Sequence, residues 1–412
     1  MHTGSKMANA LALMTAAGGT GEPVLPLVLF VVFASSLLLA EAAERLHIPG
    51  IVGGMAAGVL IGPSVLALVH YDDVLRALSE MGVMFLLFQV GLEVKPSELL
   101  KVGRTALLVA VPGVALPFAV GWLIFSGAGR PPAESIFMGA AMVTTGVGVA
   151  AQVLSSLGYL AHRASQVILA AAIIDDVLGL LVLAAVSSLG SSGKVDFIGI
   201  GVTALTATAF ICAVFRFGPS AASSVVPRLT RRMLTGESEF ALALLFLLGM
   251  SLLATRSGVA AIVGATLAGI VLSETVSKRV QLLAKGAGRL MIPFFLAGIG
   301  LQMDLSPFHN PRTLALATVI LLAAILSKAV GCAFGAWGLG IRDALRVGAG
   351  MIPRGSVGLV VAQVGLNAGI VSREGYGIAV FMAVMTTAIA PILLKLAFRN
   401  VQAENHAVFD KS

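Results

Sequence analysis

Charge is the scarcest ingredient of this sequence. Of its 412 residues only 11% are Asp, Glu, Lys or Arg, while 58% are hydrophobic, and the mean hydropathy is +0.99. Soluble domains carry roughly 25% charged residues, so a water-facing surface of ordinary composition is excluded. Cysteine is almost as scarce. Cys212 and Cys332 both lie in apolar stretches and fit neither a disulfide framework nor a zinc motif. The six histidines, His2, His47, His70, His162, His309 and His406, fall in expected loops or tails. None is left within a membrane span to ligate a metal or relay protons, and no cofactor is expected. The net charge of +7 does not call for nucleic acid, because Lys and Arg retained on the cytoplasmic side of a membrane protein give the same excess. Residues 1–23 read as a polar leader without a small-residue signal-peptide cleavage site.

What the chain has instead is apolar runs, each about 20 residues long and sufficient to cross ~30 Å of hydrocarbon. Thirteen spans are expected, at 24–41, 48–68, 75–92, 105–125, 134–155, 165–188, 196–215, 238–255, 258–273, 287–303, 313–337, 345–367 and 375–397. The eighth and ninth touch closely enough to be read alternatively as one hairpin, giving twelve. With the N-terminus outside, the inner loops collect clusters such as Lys95, Lys101 and Arg104, or Lys278, Arg279, Lys285 and Arg289. The outer side holds only Lys6, Arg130, Lys194, Arg256, Arg312 and Arg373. This bias of roughly three to one supports an outside N-terminus and a cytoplasmic C-terminus. A short tail, 399–412, follows the last span, so no nucleotide-binding regulatory module is expected after it. The fold class is an all-α polytopic membrane protein.

Two spans carry polar, glycine-containing interruptions, Thr144–Gly148 in the fifth and Pro353–Gly358 in the twelfth. Seven spans separate them, and an odd offset makes one copy inverted relative to the other. A pair of interrupted helices in an inverted repeat points to a transporter's substrate site at the bilayer midplane, where the two breaks are expected to cross. Each run alone would be unremarkable as a close-packed flexible segment.

Few ionisable residues sit within the spans: Glu80, Asp175, Asp176, Lys328 and Arg354. Each costs at least ~2.5 kcal/mol near the centre of a helix. Asp175 and Asp176 lie about ten residues, or ~15 Å, into the sixth span. Adjacent helical residues diverge by about 100°, so one carboxylate can hold a structural partner while the other faces a cation path. A hard monovalent cation takes oxygen ligands, and a carboxylate removed from water also holds protons more tightly. Competition of the two at one group suffices for exchange. Lys328, deep in the eleventh span, needs an acidic partner in Asp175 or Asp176. Arg354 is expected to neutralise helix-end carbonyls exposed at its own break or to pair with an acid such as Glu80. Glu80 and Glu93 read as structural or interfacial. Two aspartates side by side on one helix cannot face each other across a water, which excludes an intramembrane aspartyl protease.

With these residues in hand, the sequence resembles the second branch of the monovalent cation:proton antiporters, of the NapA type of bacterial sodium/proton antiporter. The resemblance rests on Ser79–Glu93, the break at Thr144–Leu154, the Asp-Asp motif within Ile173–Leu180, Ser327–Gly331 and Met351–Val360, in the family's order over about 24–398. It implies a homodimeric elevator-type antiporter of the inner membrane and not an enzyme. The core would comprise about 105–188 and 313–397, and the dimerisation scaffold about 24–92 and 196–273. Asp176 would bind sodium and protons, Asp175 would be bridged to Lys328, and Thr144 and Thr145 would lie near the cation. Ser356 stands where many relatives carry glutamate, so that either another acid compensates Arg354 or the cation preference differs. If sodium binding breaks the Asp175–Lys328 bridge and Lys328 sheds its proton, transport carries net charge. The rival reading is a sodium-coupled symporter of an organic anion on a related inverted-repeat fold.

Overall fold

Helix accounts for nearly all of the described chain. The structure, a computed structural model, describes residues 25–46, 48–192, 197–230 and 238–399. The leader, the tail beyond Arg399, His47, Lys194, Arg231 and Arg232 lie outside the described residues, as does the side chain of Ser356. The α-helices are α1 (Leu25–Arg45), α2 (Gly50–Ile61), α3 (Asp73–Glu93), α4 (Pro96–Gly127), α5 (Pro132–Ala141), α6 (Val147–Ser156), α7 (Arg163–Ser192) and α8 (Phe197–Thr230). They continue with α9 (Ser238–Arg256), α10 (Ala261–Leu272), α11 (Lys278–Leu301), α12 (Pro311–Gly335), α13 (Ile341–Gly350), α14 (Ser356–Asn367) and α15 (Arg373–Phe398). Among the described residues, nine are long and apolar enough to cross a membrane: α1, α3, α4, α7, α8, α9, α11, α12 and α15. The apolar helices α2, α6, α10 and α14 are shorter.

Local chemistry sets the helix ends. Asp72 accepts from Leu75 N–H at 2.8 Å to start α3. Asn310 accepts from Arg312 N–H at 3.0 Å to start α12, and Ser372 Oγ takes the Gly375 N–H at 3.0 Å to start α15. These are side-chain caps for donors that the first turn leaves free. Between α9 and α10, Gly258 takes φ 75°, a left-handed turn that glycine adopts without strain, so the two helices are separate. One expectation is corrected. The seventh run, read as ending at 215, continues as helix to Thr230, with Pro219 and Pro227 inside it. Proline bends a helix more readily than it stops one when neighbouring residues keep their bonds, so Arg216 and Arg228 lie on α8 and not in a loop.

The helices pack in two groups. α3 packs against both α10 and α11, α11 against α2, α2 against α1, and α9 against α10, with α8 alongside α9 and α10. The second group centres on α4, which packs against α12, α7 and α5, and is closed by α13, α14 and α15. Small residues allow the close approaches. A Cβ on Gly331 would lie 2.7 Å from the Pro112 carbonyl oxygen where α12 crosses α4. Gly82 does the same at α3–α11, with a built Cβ 2.6 Å from Met291 O. The groups meet where α3 touches α6, α2 touches α15 and α7 touches α8. An apolar crevice of about 410 Å³, lined by Met55, Val59, Met303, Val384 and Met385 among others, lies at the second joint.

Candidate functional site

At the centre of the second group the backbone leaves the helix twice, at 142–146 between α5 and α6 and at 351–355 between α13 and α14. The α5 chain closes with Val143 N–H on Ala140 O at 3.2 Å, and the α13 chain with Met351 N–H on Val347 O at 3.1 Å. The two loose segments then bond to one another. Gly146 N–H donates to Pro353 O at 2.7 Å and Gly355 N–H to Thr144 O at 3.4 Å, forming an isolated antiparallel bridge between Thr145 and Arg354. Backbone polar groups buried this deeply require partners, and each break supplies the other's. Glycine is required at both crossing points. A Cβ on Gly146 would fall 2.5 Å from Arg354 O, and one on Gly355 2.7 Å from Thr145 O.

The middle of α7 reaches this crossing through Asp175, with Asp176 next to it on the helix, and α12 reaches it through Lys328. Asp175 and Lys328 are wholly buried. Lys328 Nζ donates to Asp175 Oδ1 at 2.8 Å and also to the Val143 carbonyl. The other oxygen, Oδ2, accepts the Thr145 N–H at 2.7 Å. Both Asp175 oxygens are thus engaged, which is what a buried charge needs to offset the loss of water. Asp176 differs. It is 1% exposed, and its Oδ2 has no hydrogen-bond partner among the described residues. The two threonines divide in the same way. Thr145 Oγ1 donates to Met351 O at 3.4 Å, whereas Thr144 Oγ1 is buried and without a partner. A buried carboxylate oxygen and a buried hydroxyl oxygen are left over, and hard cations are held by donors of that kind.

Arg354 corrects one expectation. Glu80 does not meet it: Glu80 is exposed on α3, while Arg354 is 5% exposed within the second group. The guanidinium instead donates to carbonyls. NH1 bonds Met142 O and, at 3.5 Å, Val143 O; NH2 bonds Ala324 O of α12 at 2.7 Å. These are mainly the carbonyls that end α5, the partially negative pole of a helix. The break that Arg354 neutralises is therefore the opposite one. Three carbonyls take its NH1 and NH2 groups, while its Nε has no partner among the described residues. Val143 O receives both Lys328 and Arg354, so a single peptide group links the two cations.

Sequence reasoning passed over two further buried charges near helix ends. Glu134, in the first turn of α5, is 3% exposed and accepts from Ser372 N–H at 3.1 Å and Ser372 Oγ at 2.6 Å. It thereby ties the start of α5 to the start of α15. Arg346 on α13 is 4% exposed, donates to Asp343 Oδ1 at 2.8 Å and lies 5.6 Å from the Phe398 ring centroid. Beside Glu134, Arg130 pairs with Glu374 at 2.7 Å, and Thr313 Oγ1 donates to the same carboxylate at 2.8 Å. The legible signal for Glu134 is the Pro131-Pro132 helix start with an acid two residues on, in the first turn.

Residues 27–399 match the family described as sodium/hydrogen exchanger, transmembrane. The chain is 32% identical to the high-affinity Na(+)/H(+) antiporter NhaS3 of Synechocystis sp., over 91% of this chain and 90% of that protein. It is 30% identical to the Na(+)/H(+)-K(+) antiporter GerN of Bacillus cereus, over 89% of this chain and 94% of that one. Among solved structures, the sodium proton antiporter MjNhaP1 of Methanocaldococcus jannaschii superposes with a TM-score of 0.68 at 18% identity, covering 98% of each chain. At that identity the likeness is one of fold.

Proposed function

The chain belongs to the sodium/hydrogen exchanger family, and from that premise we propose that it exchanges sodium, or a similar monovalent cation, for protons at Asp176. The observation that carries the reading is the division within the aspartate pair. Asp175 is saturated by Lys328 and the Thr145 N–H, while Asp176 keeps a buried oxygen free, as does Thr144. Sodium docking on the Asp176 carboxylate expels its proton, and a returning proton expels sodium. Neither can ride together with the other, so the exchange is obligatory. Thr145 contributes through its backbone N–H, which orients Asp175, more than through its hydroxyl.

The helix order supports thirteen crossings: the nine long helices, α2 and α10, and the two broken pairs α5–α6 and α13–α14. The runs α4–α7 and α12–α15 each follow the order long, short, break, short, long, as two inverted copies would. Among the described residues every buried charge lies in the second group, which supports an elevator in which that group carries the site past an apolar scaffold in a homodimer. The loop lysines and arginines favour an outside N-terminus, a cytoplasmic C-terminus and residence in a bacterial inner membrane. When sodium neutralises the pair's field, Lys328 is freed to lose its proton, and two protons then return for each sodium. Transport is electrogenic on that scheme.

The test is wild-type protein in proteoliposomes loaded with a pH-sensitive dye. A sodium pulse without any organic solute should drive proton movement in the opposite direction. A chain that moves protons only when an organic anion is supplied would instead be a sodium-coupled symporter, and the proposal would fall.

A further inference from the structure

The two halves of the second group end in long helices, α7 and α15. Counted from Arg163 and Arg373, the depth at which α7 carries Asp175 and Asp176 is, to within one residue, the depth at which α15 carries Thr386 and Thr387. All four side chains are buried. In each half, one member of the pair touches the residue that forms the bridge in that half's own break. Asp175 accepts the N–H of Thr145. Thr387 Oγ1 shares its one proton between Ala383 O of its own helix at 2.6 Å and the carbonyl oxygen of Arg354 at 3.3 Å. Thr386 has no such reach: its hydroxyl bonds only Met382 O at 2.8 Å and Ala383 O at 3.1 Å, both on α15.

The contacts join into one chain across the crossing: Lys328 to Asp175, Asp175 to the Thr145 N–H, Thr145 to Arg354 through the bridge, and the Arg354 carbonyl to Thr387. The first half clamps its break with an acceptor, the second with a donor. We infer that Thr387 is a positioning residue of the ion site, holding the second break against α15 so that the first break keeps Thr144 and the aspartate pair in place. The inference rests on the exchanger reading of that site. Thr387 touches no ion; it acts on the site through Arg354 and the bridge. Losing the hydroxyl while keeping the shape leaves the Arg354 carbonyl without its side-chain donor and loosens the bridge. The expected effect falls on cation affinity more than on turnover, because the ligand geometry is what relaxes.

The experiment compares Thr387→Val, Thr387→Ser and Thr386→Val in proteoliposomes, reading KM for sodium and kcat separately. Thr387→Val should raise KM about three- to tenfold, the factor that one neutral hydrogen bond carries, with kcat changed less than twofold. Thr387→Ser should restore KM to within twofold of wild type. Thr386→Val, which removes only bonds within α15, should leave KM within twofold as well. A Thr387→Val protein with wild-type KM would overturn the inference, and so would equal effects at Thr386 and Thr387. If Thr387→Val does not yield a monodisperse protein, Thr387→Ser decides: a serine that keeps the hydroxyl yet raises KM fivefold or more overturns it. A wild-type protein without sodium-driven proton movement would strike the exchanger reading instead, before any variant is compared.

Discussion

The two helix groups bury different things. The first, α1 to α3 with α8 to α11, hides polar side chains that carry no charge: Ser36, Ser79, Gln89, Ser251 and Thr266. The second hides Glu134, Asp175, Asp176, Lys328, Arg346 and Arg354. Both groups are built from helices of similar apolarity, and both use glycine to bring backbones together. The difference is therefore not one of packing style. Burying a charge within a membrane is expensive, and among the described residues that expense falls on one group. Within the charged group the expense is met in two ways. Lys328 and Asp175 neutralise each other, whereas Arg354 is met by carbonyls freed where the α5 helix ends and by Ala324 O of α12. The broken α5 end thus supplies carbonyls where an acid would otherwise meet Arg354.

Substitutions can break this comparison. The largest effect is expected from Asp176→Asn in the charged group. It removes the free carboxylate and the cost of burying it together, so cation-dependent proton exchange should vanish while expression and the size-exclusion profile stay near wild type. Substantial residual exchange would move the transport site elsewhere. Lys328→Gln should be intermediate. Breaking a buried pair from one side costs about 3 kcal/mol or more, read as a lowered melting temperature. Some exchange should survive, with most of its response to a valinomycin-set potential lost. Equal voltage dependence in wild type and variant would leave the lysine as a brace and remove it as a proton carrier. The smallest effect belongs to the uncharged group. Ser251 Oγ is buried without a partner, so Ser251→Ala removes an unsatisfied polar atom and should change stability by less than about 1 kcal/mol and KM by less than twofold. A large loss of exchange there would blur the division between the groups.

Much of this was readable in the residues, and what was not has a physical reason. Isolated charges in apolar runs are costly enough to stand out, and they pointed to Asp175, Asp176 and Lys328, which meet or adjoin in the structure. The partners of Arg354 were hidden because a carbonyl acceptor has no side chain to read. Glu80 seemed available as its acid only because helix-face orientation is weakly legible in a span that is apolar nearly all round. The breaks themselves lie at 142–146 and 351–355, two or three residues before the polar glycine runs that suggested them. Met142, Val143, Met351 and Ile352 are apolar yet non-helical, while Val147-Gly148 and Ser356–Gly358 have already resumed as helix. A run of helix breakers marks where a chain can leave the helix; the hydrogen bonds available across the crossing decide where it does. Glu134 and Arg346 were passed over because charges near span ends read as interfacial, and only tertiary contacts with Ser372 and Phe398 bury them.

The central claim is that sodium and a proton contend for one carboxylate, Asp176, beside an Asp175 that Lys328 holds in the resting site. The direct measurement is the KM for sodium of the wild-type exchanger in proteoliposomes as a function of pH. Protons compete with sodium if the claim holds, so KM should rise as the pH falls, by about tenfold per pH unit for the Asp176 proton alone and more steeply where sodium also displaces the Lys328 proton, with kcat little changed. A sodium KM that stays flat across the same pH range, with activity lost through kcat alone, would mean that the proton and the cation bind at different groups and would contradict the account.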